Sequence, residues 1–405
     1  MVSVTLEGQI AMQRHRVGRV GLAALGSVLL SIVFATNAVA LSWGADIAVS
    51  KSAADWAYPG SLAVSSSTTA HVVYEQSVFG YFGVYYRRTT NSGATWSPPI
   101  LLSRPDVADA GVPVIEASGS SLVAAWLESD DVLNGVDTIA VARRSSDGGA
   151  TWGAPVQLTP SHESAGYPRL GASGKSLTIA WTNGYNGAIY IRRSADFGVT
   201  WSNRQQLATT TNKPFGGSVY EGFPVPAIGT GVQYVVYVSA AKTVKVRRST
   251  NGGATWAGAT TLATNASNWQ PTVAAAGSKA IVGYSTRSST DAWTTDRITT
   301  DKGASWSSVK ALSPSSAYRS FEPVVAYRGG RWMAIFERCL SNSCGQSAVY
   351  YRSSTNGTTW SSAIRVSVKK RAYAAPGDVD VATRTLVVYD DYNDSANDPY
   401  VRVGS

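Results

Sequence analysis

Few side chains in this 405-residue sequence are equipped for nucleophilic or metal chemistry. Of its three histidines, His15 belongs to the N-terminal segment, which leaves His71 and His162; the two cysteines are Cys339 and Cys344. A zinc site and a Ser-His-Asp triad both draw on His or Cys, so neither has ligands enough here. Nothing resembles a phosphate-binding glycine loop. What the sequence offers instead is Tyr, Glu and Arg in short runs: Tyr220-Glu221, and Tyr318-Arg319 with Glu322. A guanidinium fork matches a planar carboxylate, and two carboxyls such as Glu221 and Glu322 suit acid–base hydrolysis of a glycosidic bond. A wider set comprises Trp56, Tyr58, Asp106, Tyr167, Arg169, Trp269, Arg371 and Tyr373. It joins aromatic faces that stack on sugars to groups that hydrogen-bond them.

Whether these residues meet depends on the elements that carry them, and those elements repeat. The strings TTNSGATW (89–96), SSDGGATW (145–152), SADFGVTW (194–201), STNGGATW (249–256) and TTDKGASW (299–306) share one template. A looser copy, SSTNGTTW (353–360), has Thr355 where the others have Asp or Asn. The tryptophans, Trp96, Trp152, Trp201, Trp256, Trp306 and Trp360, lie 56, 49, 55, 50 and 54 residues apart. Each box is flanked by strands such as YIRRS and WGAPVQLT, and two more lie upstream, one led by Pro and one ending in an aromatic. Four strands in about 53 residues match one propeller blade.

The Pro that opens each unit gives an independent count: Pro59, Pro113, Pro168, Pro224, Pro271, Pro323 and Pro376. The fold class is therefore all-β, a β-propeller of seven four-stranded blades, with six blades as the alternative. The last unit has only three strands, and WGADIAVS (43–50) copies a fourth strand. Closing the ring with this N-terminal strand removes the exposed sheet edges an open array would leave. Loops into first strands and loops between second and third strands then share one face around the axial channel, and the candidate residues collect there.

In the S-x-D-x-G-x-T-W turn, Ser/Thr and Asp/Asn side chains bond turn amides while Gly supplies a backbone angle unfavourable to other residues. The terminal Trp is expected to bury its ring against the sheet. These strings resemble the Asp-box (BNR) repeats of the sialidase superfamily, and with the surrounding strands the resemblance covers nearly all of residues 43–405. It implies that the boxes lie on the face away from the active site, so that Asp147, Asp196, Asn251 and Asp301 are structural. It also implies, for a sialidase, several arginines on the substrate carboxylate, a Tyr nucleophile activated by Glu, and an Asp as acid and base. The family's first arginine comes in an Arg-Ile-Pro motif; here the position reads Ala57-Tyr58-Pro59. Two readings stay open: a glycan- or protein-binding module without catalysis, and an exo-sialidase or other glycoside hydrolase acting on extracellular glycans.

The first forty residues read as a signal peptide: Arg14, Arg16 and Arg19, an apolar run from Val20, and the small-residue site Ala38-Val39-Ala40. Cleavage there leaves one domain, residues 41–405; an uncleaved membrane anchor is the alternative. Losing three Arg and one Glu lowers the formal charge from +9 to +7. The Arg-Arg pairs on strands read as solvated edges rather than a nucleic-acid footprint. Cys339 and Cys344 read as a local disulfide in an exported chain. No cofactor is expected, unless the acidic run Asp390, Asp391, Asp394 and Asp398 holds Ca²⁺. The expected partner is an extracellular glycan or protein, not nucleic acid, and the expected state is a monomer.

Overall fold

Each repeat folds as one antiparallel sheet whose strands run outward in chain order. Blade 3 is typical, with Ala165–Ser173 innermost, then Ser176–Asn183 and Ala188–Ser194, and Gln205–Thr209 outermost. The computed structural model describes residues 43–44, 47–48, 50, 57–78, 81–107, 109–129, 138–210, 223–239, 241–266, 271–287, 292–313, 318–367, 376–381, 384–393 and 396–404. The expected signal peptide lies outside the described residues. No described helix is long and apolar enough to cross a membrane.

Seven such sheets are present, which replaces the six-blade alternative. The seventh runs Ile47–Ala48, Ala396–Gly404, Thr385–Asn393, Pro376–Val381, so the N-terminal strand supplies the missing outer strand. Ile47 pairs with Val401 and Trp43 bridges Gly404, while Arg402 Nε donates to the Gly44 carbonyl at 2.8 Å.

Blades stack face to face, so the middle strands are covered on both sides and read as continuous apolar runs rather than alternating ones. Val232–Val238 is buried at every position, and so are all but the first residue of Ser176–Asn183. The core accordingly falls into seven clusters, each shared by two neighbouring blades, including one between blades 7 and 1. That last cluster joins Leu62, Val72 and Tyr74 to Leu386, Val401 and Val403, and it closes the circle.

The Arg-Arg pairs are not solvated edges. The second Arg of each pair donates to a backbone carbonyl in the next blade's box turn: Arg88 to Gly148 at 2.8 Å, Arg144 to Phe197 at 3.0 Å, Arg193 to Gly252 at 3.0 Å and Arg248 to Lys302 at 3.1 Å. The first Arg can reach back, as Arg247 does in donating to the Leu207 carbonyl of blade 3; Arg352, which is not followed by a second Arg, donates likewise to Leu312 at 2.7 Å. Carbonyls at strand ends lack ladder partners, and these guanidiniums satisfy them while tying blade to blade.

The box turns form the expected bonds. Ser145 Oγ accepts from Gly149 N at 2.9 Å, and Asp147 Oδ1 accepts from Thr151 N at 3.0 Å. Asp196, Asp301 and Asn251 bond their turns in the same way. In the sixth box Asn356 rather than Thr355 takes this part, accepting from Thr358 N and Thr359 N at 2.8 Å, because the turn is one residue shorter. The box tryptophans are only half-buried; the fully buried ones are Trp126, Trp181 and Trp332 of the second strands.

First strands crowd at the axis, and glycine permits the approach. A Cβ on Gly171 would stand 2.6 Å from the Pro226 carbonyl oxygen of the next blade. Backbone cannot step aside as a side-chain tip can, so Gly171→Ala is expected to cost about 2–3 kcal/mol. Chemical denaturation of the two proteins measures it directly.

Candidate functional site

Sheet register divides the connections between two faces. In blade 3 Ala165 pairs with Asn183 and Ala188 with Thr209, so the start of the first strand and the second-to-third connection share one face. The Ser173–Ser176 turn and the Asp-box turn share the other. Between them runs a channel of about 1310 Å³ lined by the first strands of all seven blades.

One local device aims side chains into it. Val112, Tyr167 and Glu322 each precede a proline and hold left-handed angles, φ 54, 32 and 47°, where the first strand slips register against the second. Proline has no N–H for the ladder, so the strand bulges, and a bulge re-aims its residues. All three line the channel. Tyr167 packs at 3.8 Å between ring centres on Phe223, the two rings tilted by 35°; Phe223 leads into blade 4.

Among the sequence candidates, the structure brings Tyr167, Arg169 and Glu322 to the channel wall. Tyr318 stands 40% exposed outside that wall, and Arg319 Nη2 donates to the Asn342 carbonyl at 3.2 Å over the Cys339–Cys344 disulfide loop. Asp106 is exposed on a turn. Tyr58 lies in the first strand of blade 1, Ala57–Val64, and is described in backbone alone. Trp56, Tyr220, Glu221, Trp269, Arg371 and Tyr373 lie outside the described residues, as do Asp394 and the side chains of Asp390, Asp391 and Asp398. Asp391 pairs with Asp398 across two strands of blade 7.

Two further carboxyls join Glu322. Glu75 and Glu337 each follow the aromatic of a second strand, Tyr74 and Phe336, and both line the channel. Burial pushes Glu322 up to about 8, and the neighbouring Glu337 adds to this. Burial also lifts Glu337 to about 6, against a hydrogen bond with Ser347. For Glu75 burial raises the value to about 7; the Val112 amide, donating at 2.7 Å, works against this, and Asp109 nearby works with it. Three carboxyls in this wall therefore hold protons at or near neutrality.

At the channel's other end Arg328 of blade 6 pairs with Asp380 of blade 7 at 3.1 Å and donates to the Val64 carbonyl of blade 1 at 2.8 Å. Asp380 also accepts from the Val64 amide at 2.8 Å. The half-exposed ion pair itself contributes little. Removing the acceptor strands a buried amide, so Asp380→Ala is expected to cost about 2 kcal/mol, read from a shifted denaturation midpoint.

Arg169 and Arg328 are the arginines of this lining, and Arg328 is spent on Asp380. No group of His, Cys, Asp or Glu among the described residues is placed to hold a metal ion. The arrangement is suited to seating a polar ligand against packed rings and proton-bearing carboxyls. Glu75, Glu337 and Phe223 escaped the sequence reading because they sit in or beside strands rather than at loop tips. The available signal was a carboxylate inside a continuous apolar run, as in HVVYEQS and MAIFERC.

No protein-family model matches the chain, and no curated protein does. Solved structures do. A protein of unknown function from Dyadobacter fermentans DSM 18053 aligns with TM-score 0.54 and 12% identity, covering 90% of this chain and 99% of that one. A PL25 polysaccharide lyase, an ulvan lyase, aligns with TM-score 0.55 and 10% identity over 85% of this chain and 96% of its own. Trypanosoma rangeli sialidase in complex with sialic acid aligns with TM-score 0.47 and 14% identity over 75% of this chain and 55% of that one. At such identities the likeness is one of fold alone. By its seven four-stranded antiparallel sheets, the chain is a seven-bladed β-propeller.

Proposed function

We propose that the chain is an exported carbohydrate-binding propeller whose ligand sits in the axial channel. The observation that carries this is the channel wall itself, where the packed Tyr167–Phe223 pair lines a space shared with Arg169 and three carboxyls. Aromatic rings take sugar faces, and carboxyl and guanidinium groups take hydroxyls. One solved structure of similar fold is an ulvan lyase bound to -[GlcA(1-4)Rha3S]-, which supports a glycan ligand for such a scaffold. The Cys339–Cys344 disulfide and the N-terminal basic–apolar pattern support export. The purified protein is expected to bind members of a glycan array, and Tyr167→Ala is expected to weaken that binding roughly tenfold, about 1.4 kcal/mol. Silence across the array, or an unchanged response from Tyr167→Ala, would overturn the reading.

A second reading, cleavage of a glycan, is favoured by one observation: Glu322 keeps its proton to about pH 8 and faces the channel beside Glu337, as a general acid would. Turnover of fluorogenic glycosides, abolished in Glu322→Gln, would establish it. A fluorogenic sialoside is expected to stay intact, because the described lining lacks a converging set of arginines.

A further inference from the structure

The whole chain is basic, +9 in formal charge, yet the channel lining is acidic. Glu75, Glu116, Glu322, Glu337 and Asp380 face Arg169 and Arg328 across it. Arg328 and Asp380 neutralise each other at one end, where Glu116 also acts on Arg328. Glu322 and Glu337 belong to blade 6 and form one sector of the wall; Glu75, of blade 1, turns its carboxyl toward blade 2, where the Val112 amide donates to it at 2.7 Å. The packed aromatics stand at blades 3 and 4, across the ring.

Glu322 is the informative member. It is partly buried, it lines the cavity, and among the described residues no hydrogen bond reaches its carboxyl. Its charged neighbour is another carboxyl, Glu337, just as Asp109 is the charged neighbour of Glu75. Among the described residues no counter-charge acts on Glu322, and a desolvated carboxylate without one is costly.

Resting on the glycan reading above, we propose that the channel recognises an amine-bearing saccharide, its ammonium group seated against Glu322 and Glu337 while a sugar face meets Tyr167. The ammonium supplies the missing counter-charge and displaces protons that the empty wall holds. Acetylating the amine removes the charge and with it the advantage over neutral sugars. An acidic sugar brings no counter-charge to this sector and gains no such advantage.

The test is calorimetric titration of the purified protein at pH 7 with three probes: the glucosamine tetramer, the N-acetylglucosamine tetramer and 1,4-diaminobutane. The glucosamine tetramer is expected to bind at least roughly tenfold more tightly than its acetylated counterpart. It should release protons, seen as a heat that differs between buffers of unlike ionisation enthalpy. Glu322→Gln and, separately, Glu337→Gln are expected to weaken it by about tenfold with unchanged circular dichroism. Equal affinity for both tetramers, or indifference to both substitutions, would overturn the proposal. Binding of the acetylated tetramer alone would overturn the ammonium assignment and leave the glycan reading standing. Binding of diaminobutane without either tetramer would overturn the glycan reading and leave the acidic wall standing.

Discussion

A chain shortened to begin at Lys51 is expected to lose about 5 kcal/mol of stability and to melt roughly 5–10 °C lower than the chain that retains Trp43 to Ser50. The shortening removes the outer strand of blade 7, with its Ile47–Val401 pairing. It also removes the 2.8 Å bond from Gly44 N to Val403 O and the edge contact of Trp43 on Tyr351, 5.6 Å between ring centres. A half-buried Trp contributes about 2–3 kcal/mol, and each backbone bond about 1. Beyond the lost contacts, Ala396–Gly404 becomes an open sheet edge, a template for pairing with other chains. Differential scanning calorimetry and light scattering read both effects. Equal melting temperatures would show that the ring does not depend on this strand. The same argument bears on processing: cleavage after Ala40 spares the closing strand, whereas cleavage a dozen residues later would remove it.

Stability is expected to fall as pH rises from 6.5 to 8, by about 2 kcal/mol or roughly 3 °C, and Glu322→Gln is expected to abolish most of that slope. Glu322, Glu75 and Glu337 have folded-state values raised above the ordinary 4.5. The folded chain therefore holds protons that the unfolded chain releases. That contribution is complete below pH 4.5 and drains away as pH climbs through the folded values, near 8 for Glu322 and near 7 for Glu75. Asp296, lifted by burial to about 6, behaves likewise but has lost most of its contribution by pH 6.5. His71 works in the opposite sense: burial first, then Arg88, lower it from 6.5 to about 4, so its contribution is present above 6.5 and lost in acid. Above pH 6.5 the carboxyls act unopposed, which is why that window is diagnostic. Glu322 touches the channel, so water there trims the effect below what full burial would give. Glutamine mimics the protonated acid, and Glu322→Gln should exceed the parent in stability at pH 8. An undiminished slope in that variant would show that other groups set it.

The repeats made the fold legible because blade strands and box turns are local. The spacing of Ser145, Asp147, Gly149, Thr151 and Trp152 suffices to specify a turn whose bonds span no more than four residues. The closing strand was legible too, since WGADIAVS carries the pattern of every other outer strand and chain order left it one place to pair. The sixth box shows where pattern matching slipped. Aligned on Trp360 it puts Thr355 in the Asp position, whereas the shortened turn uses Asn356.

The site was a different matter. The sequence by itself determined that blades exist and favoured seven over six, and it set out polar and aromatic residues as candidates for one face. Only the tertiary structure decided which of them meet. Tyr318, Arg319 and Glu322 are near neighbours in the chain, but the bulge at Pro323 aims Glu322 inward while Arg319 bonds the disulfide loop. Glu75 and Glu337 lie about 260 residues apart and come to one channel wall because the ring of blades closes. The Arg-Arg pairs, polar by composition, became ties between blades once the neighbouring carbonyls were in place. Local bonds are written in short spacings; convergence at an axis is set by the closure of the ring, and by the burial that closure imposes.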